Sequence, residues 1–161
     1  LELTGPEGIR QVPIQEFYTG PGKTVRRHEE VMTAIRIRRR DYEGYTGCYI
    51  KYGKRNAMEI ATLGCACLVK LSWDKKVVED MRIAYGVAAP TPVRCPETEK
   101  AVSGKAVSKA LLLQTGRGVL NEVNPRTSWR ASKEFRLQLV EELAKRAMAQ
   151  AIRNGGGEVD A

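Results

Sequence analysis

Histidine is nearly absent from this 161-residue chain, with His28 standing alone. The four cysteines, Cys48, Cys65, Cys67 and Cys95, contain no Cys-x-x-Cys pair. Together these scarcities leave a zinc site without a ligand set. Reduced, mostly buried thiols are the expectation, which points to a cytoplasmic protein. Aromatic residues make up only 6%, so aliphatic side chains and alanine must fill the core. No run of about 18 apolar residues exists, so no membrane-spanning helix is expected. No basic segment leads into an apolar one near the start, so no signal peptide is expected. A phosphate-binding loop is missing too. Gly22-Lys23-Thr24 resembles its end, but Phe17 stands where the motif needs glycine, and an alternating stretch follows where it needs a helix.

What is present suits a globular domain with an appendage. Hydrophobic residues reach 42% and charged residues 29%, with a formal net charge of +8. Such a balance suits nucleic acid, an acidic membrane surface or an acidic protein partner. The charge is spread along the chain, with one cluster at Arg36, Arg38, Arg39 and Arg40. No aromatic platform or groove-reading helix accompanies it, so a solvated edge or a subunit contact is expected rather than a nucleic-acid site.

The periodicities predict an α+β fold. Residues 1–14 read as a hairpin around Gly5-Pro6-Glu7-Gly8. Residues 16–24 read as a glycine-shaped loop, and Val31, Thr33, Ile35 and Ile37 alternate as a strand, with Met32 and Ala34 on its other face. A polar connection over 39–47 marks a boundary. Strands follow over 48–52, 61–72 and 77–88. In the first, Cys48, Ile50 and Tyr52 share one face and Tyr49 and Lys51 the other. In the second, Leu63, Cys65, Cys67, Val69 and Leu71 line up opposite Gly64 and Ala66. In the third, Met81, Ile83, Tyr85 and Val87 share a side. One face of that meander needs cover. Helices over 96–102, 107–122 and 132–153 supply it. The second has Val107, Ala110, Leu111, Leu113 and Val119 as core positions and is weakened by Gly116 and Gly118. The third has Ser132 as N-cap, a face built on Phe135, Leu139 and Leu143, and i,i+4 pairs at Glu141–Lys145 and Glu142–Arg146. The chain also opens LELTG without methionine, and Leu1 and Leu3 alternate as in a strand that lacks an upstream partner.

Five segments in order make the reading specific. FYTGPGKT, HEEVMTAIRI, YIKYGKRNAMEIATLGCA, RIAYGVAAPTPVRC and NPRTSWRASKEFR together resemble the FAD subunit of molybdenum hydroxylases, the family of xanthine dehydrogenase and aerobic CO dehydrogenase. The resemblance runs from Leu1 to about Ile152. It departs from the family where Arg38-Arg39-Arg40 replace a usual proline.

The resemblance implies a three-stranded antiparallel sheet on a helical bundle, preceded by the terminal strands of a flavin-binding domain. Residues 1–44 would end that domain, 45–153 would form the C-terminal domain, and 154–161 would be a flexible tail. Lys51 and Met32 match the family's flavin-contacting positions. Arg55, Asn56 and Glu59 are expected to hold the bend, and Trp129 and Arg130 to dock the last helix. The family's glycine-rich pyrophosphate loops are not in this sequence, so FAD would be held mainly by an upstream half. Molybdopterin and 2Fe-2S clusters would sit on a molybdenum-binding subunit and an iron–sulfur subunit, and electrons would pass through FAD to NAD or another acceptor. On this reading the chain is part of a multisubunit oxidoreductase and a fragment inactive alone. Two other readings stand beside it: a non-enzymatic subunit-assembly module, and a basic nucleic-acid-binding α+β domain.

Overall fold

In the computed structural model, which describes residues 1–159, the chain divides into two units, Leu1–Glu43 and Gly44–Ala161.

The first unit is built on the expected hairpin. β1 (Glu2–Gly5) pairs with β2 (Gly8–Gln11), and the left-handed Gly8, at φ 110°, makes the tight return. A four-residue helix, α1 (Ile14–Phe17), leads into a second hairpin of β3 (Tyr18–Gly20) and β4 (Lys23–Thr24). The glycine-shaped loop expected over 16–24 therefore has its own regular structure. β5 (Val31–Ala34) adds to the other side of β1 with Met32 opposite Leu3, so β1 is paired on both edges. The strand stops at Ala34, short of the expected Ile37. A small core of Leu3, Val12 and Phe17 closes the unit. Glu30 is its electrostatic pin. Its carboxylate accepts from the Arg10 guanidinium at 2.6 and 2.9 Å and from the Arg27 amide at 2.6 Å. Three arginines of the basic cluster are ion-paired, Arg36 with Glu2, Arg38 with Asp41 and Arg39 with Glu43.

The second unit is a sheet covered on one face by helices. β6 (Tyr45–Tyr52), β7 (Leu63–Leu71) and β8 (Val77–Gly86) form the expected antiparallel meander. Two short strands widen it. β9 (Val93–Arg94) and β10 (Lys105–Ala106) both pair with β8, so the sheet has five strands rather than three. Between these two pairings the amide of Ile83 meets no strand. Glu99 accepts from it at 2.9 Å, while Arg94 holds the same carboxylate at 2.6 and 2.5 Å. A buried backbone donor is thus satisfied by a side chain from α2 (Pro96–Val102).

α2, α3 (Lys109–Gly118) and α4 (Lys133–Asn154) lie on the inner face. Ser132 caps α4 by accepting from the Phe135 amide at 3.2 Å, and Ser108 caps α3 in the same way. α3 is shorter than expected and ends in a 3₁₀ turn over Val119–Asn121. Leu112 rather than Leu113 packs on the core. Gly116 does more than weaken the helix. A Cβ there would lie 3.0 Å from the backbone oxygen of Glu141, so its bareness lets α3 approach α4. Three further expectations are corrected. Val87 is not on the inner face, because it turns left-handed at φ 70° just past β8 and leaves Ala88 to fill the core. Phe135 is only partly covered, and Arg136 beside it is buried. The tail expected to be flexible from residue 154 is packed through Gly157, which is buried, to Val159, which touches the core. Residues 160 and 161 lie outside the described residues.

Candidate functional site

Strand alternation gives β6 two unlike sides. Cys48, Ile50 and Tyr52 turn inward against the core, and Tyr49 and Lys51 turn to the open face. Cross-strand register then sets what lies beside them. Lys51 is opposite Gly64, which is opposite Gly86. Tyr49 is opposite Ala66, which is opposite Ala84. The open face therefore carries a floor of glycine and alanine two strands wide, on β7 and β8, bordered on β6 by one cation and one phenol. A Cβ at Gly64 would meet the Tyr49 hydroxyl at 2.8 Å, so the phenol lies across the bare backbone.

Lys51 is held by the bend that follows it. Its Nζ donates to the Glu59 carbonyl oxygen at 2.5 Å. The Glu59 carboxylate accepts from the Arg55 amide, and the Arg55 guanidinium donates to the Met58 carbonyl at 2.8 Å. Arg55 and Glu59 thus fasten the bend, as expected of them. An ammonium has three donors, and one goes to Glu59, so the group can still offer hydrogen bonds and charge to a ligand on the floor. Further along the same face, the Tyr45 hydroxyl donates to Asp80 and accepts from Arg82 at 3.0 Å. The Arg82 guanidinium also lies 4.4 Å from the Tyr45 ring centroid. Burial and the Asp80 bond raise the Tyr45 pKa above its ordinary value. This cluster ties the first strand of the sheet to the third.

The inner face has the opposite chemistry. Cys65, Cys67 and Cys95 are buried and all four cysteines are free. Burial pushes the Cys65 and Cys95 thiols up to about 12, and Cys67 well above its ordinary value. Thiols so protonated are neither nucleophiles nor ready ligands. Among the described residues no group of histidine, cysteine, aspartate or glutamate could hold a metal ion, and no helix is long and apolar enough to cross a membrane.

The two residues singled out by resemblance fall in different units. Met32 sits on β5 opposite Leu3, with its side chain 44% exposed, and Lys51 belongs to the sheet of the second unit. The expectation that Trp129 and Arg130 dock the last helix is corrected. Trp129 is 83% exposed, and Arg130 stacks on its ring at 4.4 Å. The docking is done by Arg136, which is 1% exposed and whose guanidinium donates to the Arg126 carbonyl at 3.2 Å and to Ser128 Oγ at 2.8 Å. Its place one turn inside α4, next to apolar positions, was the only signal in the sequence.

Comparison with known proteins gives this geometry a family. Residues 48–151 match the family described as the CO dehydrogenase flavoprotein C-terminal domain. The chain is 40% identical over 159 residues to the xanthine dehydrogenase FAD-binding subunit of Escherichia coli O157:H7, covering 99% of this chain and 54% of that protein. It is 29% identical over 149 residues to the carbon monoxide dehydrogenase medium chain of Hydrogenophaga pseudoflava, covering 92% of this chain and 50% of the relative. Its structure superposes on that of reconstituted CO dehydrogenase from Oligotropha carboxidovorans with a TM-score of 0.83, at 26% identity, over 95% of this chain and 52% of that one. The chain thus spans about half the length of these relatives. With the match extending from β6 nearly to the end of α4, the chain belongs to the CO dehydrogenase flavoprotein C-terminal domain family.

Proposed function

We propose that this chain is the C-terminal part of the FAD-binding subunit of a xanthine dehydrogenase-type molybdenum hydroxylase, and that the open face of its sheet forms one wall of the flavin site. The observation that carries the reading is Lys51, fixed by Glu59 at the border of a glycine–alanine floor. A flat ring can approach such a floor closely where Gly86, Ala66 and Ala84 carry little or no side chain, with the Tyr49 phenol, which lies across Gly64, as its border. The residues fit one side of a flavin and not its whole grip, since the family's glycine-rich pyrophosphate loops are not in this sequence. Residues 1–44 then end the flavin-binding domain, 45–153 form the domain that closes over the cofactor, and an upstream half supplies the rest of the grip.

A flavin bound there would supply electron transfer between iron–sulfur clusters and NAD or another acceptor. With a flavin held there, Lys51 would set a positive charge beside the ring and so favour its reduced, more negative form, and the Glu59 carbonyl already holds that charge in place. Met32, half-exposed on β5 of the first unit, is a flavin-contacting position by the family resemblance. Molybdopterin and 2Fe-2S clusters belong to partner subunits, and the chain alone is inactive.

The test uses the full-length subunit with its upstream half. Lys51→Ala and Gly64→Leu are expected to lower flavin retention several-fold while circular dichroism stays unchanged. Wild-type flavin content in both variants would rule out the wall.

A further inference from the structure

Loop 125–132 leads into α4, and the role of a flavin wall leaves it unexplained. Its tip combines two features that oppose each other unless a partner is involved. Trp129 is 83% exposed, although a tryptophan carries one of the largest apolar surfaces of any side chain. Yet the loop beneath it is braced. The buried Arg136 reaches up from α4 to the Arg126 carbonyl and Ser128 Oγ. Ser128 and Ala131 close the tip with reciprocal backbone bonds at 3.0 and 3.2 Å. At the base, Thr127 Oγ1 accepts from the Lys133 amide and Asn124 Oδ1 accepts from Lys133 Nζ, each at 3.0 Å. These bonds dock α4, and they also order the tip in advance, which lowers the cost of binding for a loop that meets a partner.

Charge specifies the partner. Among the described residues, Arg126, Arg130 and Arg136 have no carboxylate within ion-pair distance, unlike Arg94, Arg38 or Arg39. The one acidic neighbour at the helix start, Glu134, is engaged with Ser132 and with backbone. Arg126 and Arg130 press on the buried charge of Arg136, whose pKa is lowered chiefly by burial and then by these two cations. The Arg130 guanidinium lies over the Trp129 ring at 4.4 Å, so the aromatic face and the cation are presented as one object. Tryptophan and arginine are also the residues that most often carry the energy of a protein–protein contact.

We propose that loop 125–132 is a pre-braced docking loop whose stacked Trp129–Arg130 pair inserts into an apolar recess lined with carboxylates on a partner subunit of the same assembly. The proposal rests on the reading that this chain is one subunit of such an assembly. It concerns a different surface from the floor beside Lys51. The recess supplies the counter-charges that Arg126 and Arg130 lack, and the apolar cover that Trp129 lacks.

Association of the purified full-length subunit with its partner subunits tests this, measured by dilution of the complex. Trp129→Ala is expected to weaken association by about 30-fold, the loss typical of a central anchor. Arg130→Glu is expected to weaken it further and to remove most of its salt dependence. Trp73→Ala, at the equally open hairpin tip where Trp73 is 94% exposed, should change nothing. Association of Trp129→Ala within twofold of wild type overturns the proposal, as does tighter binding by Arg130→Glu. Flavin content read on the same samples keeps the two claims apart. A wild-type subunit that assembles without flavin refutes the wall and leaves the loop standing. Flavin-loaded variants that assemble normally refute the loop and leave the wall.

Discussion

The two faces of the second unit's sheet come from the same three long strands and share almost nothing else. The inner face is crowded and apolar, with Cys65, Cys67, Met81, Ile83 and Tyr85 buried beneath helices. Even its polar groups are closed off. The Tyr85 hydroxyl donates to the Val140 carbonyl at 2.9 Å, and burial drives its pKa far up. The outer face is sparse. It has glycine or alanine at Gly64, Ala66, Ala84 and Gly86, bordered by Tyr49 and the held Lys51, and further along Leu68, Lys70 and the Tyr45–Arg82–Asp80 cluster. The unusual residue types, the cysteines, lie on the side that only packs. The side suited to a ligand is marked instead by bare backbone. Rare side chains therefore mark the packing side here, and small ones mark the open side.

This contrast can be broken by substitution. Ile83→Ala on the inner face should cost about 3 kcal/mol, by lost burial and the cavity left behind, read as a lower urea midpoint with flavin affinity per folded molecule unchanged. Gly116→Ala tests the closeness of helix packing over that face. Its Cβ would press on Glu141 backbone at 3.0 Å, and the strain should cost about 1–3 kcal/mol. A neutral or stabilising result would mean that α3 and α4 are looser than the structure shows. Thiol labelling at pH 8 sharpens the same comparison. Cys65, Cys67 and Cys95 should stay unmodified in the native protein and react fully in denaturant, and native labelling of any of the three would show that the inner face opens.

The smallest expected effect lies in the first unit. The Arg10 guanidinium and the Arg27 amide hold the Glu30 carboxyl at about 2, below its ordinary 4.5. A carboxyl depressed on folding adds stability that is fully present above about 4.5 and is lost as pH falls through about 2. Hydrogen exchange of β1 and β2 amides should therefore quicken as pH drops through that window, beyond the intrinsic rate change. Glu30→Gln should remove that dependence. An unchanged pH profile in the variant would show that the pin is not Glu30.

Where local rules govern, the sequence was enough. The ends of α4 followed from Ser132 and from the apolar rows running through Leu139, Leu143 and Ala147. β7, β8 and the second part of β6 followed from strict alternation, while Tyr45–Gly47, read as connection, extend β6 because they pair with Leu68–Lys70. What escaped was set by distant parts of the chain. β9 and β10 have two residues each and exist only because β8 offers them an edge. Glu99 reads as a surface helix residue until α2 is laid beside the unpaired Ile83 amide. Arg136 reads as solvent-facing until loop 125–132 folds over it. For the candidate site, alternation alone put Lys51 opposite Ile50 and Tyr52, and the resemblance supplied its expected partner. The glycine–alanine floor needed the cross-strand register, because Gly64 and Gly86 are 22 positions apart in sequence and opposite each other in the sheet.

The most direct measurement is the midpoint potential of the flavin in the full-length subunit, compared among wild type, Lys51→Met and Lys51→Arg. A cation that stabilises the reduced ring by about 1–2 kcal/mol raises a two-electron potential by about 20–40 mV. Lys51→Met should lower the potential by that amount, and Lys51→Arg should restore most of it. Equal potentials in all three proteins, at equal flavin content, would contradict the assignment of the open sheet face to the flavin.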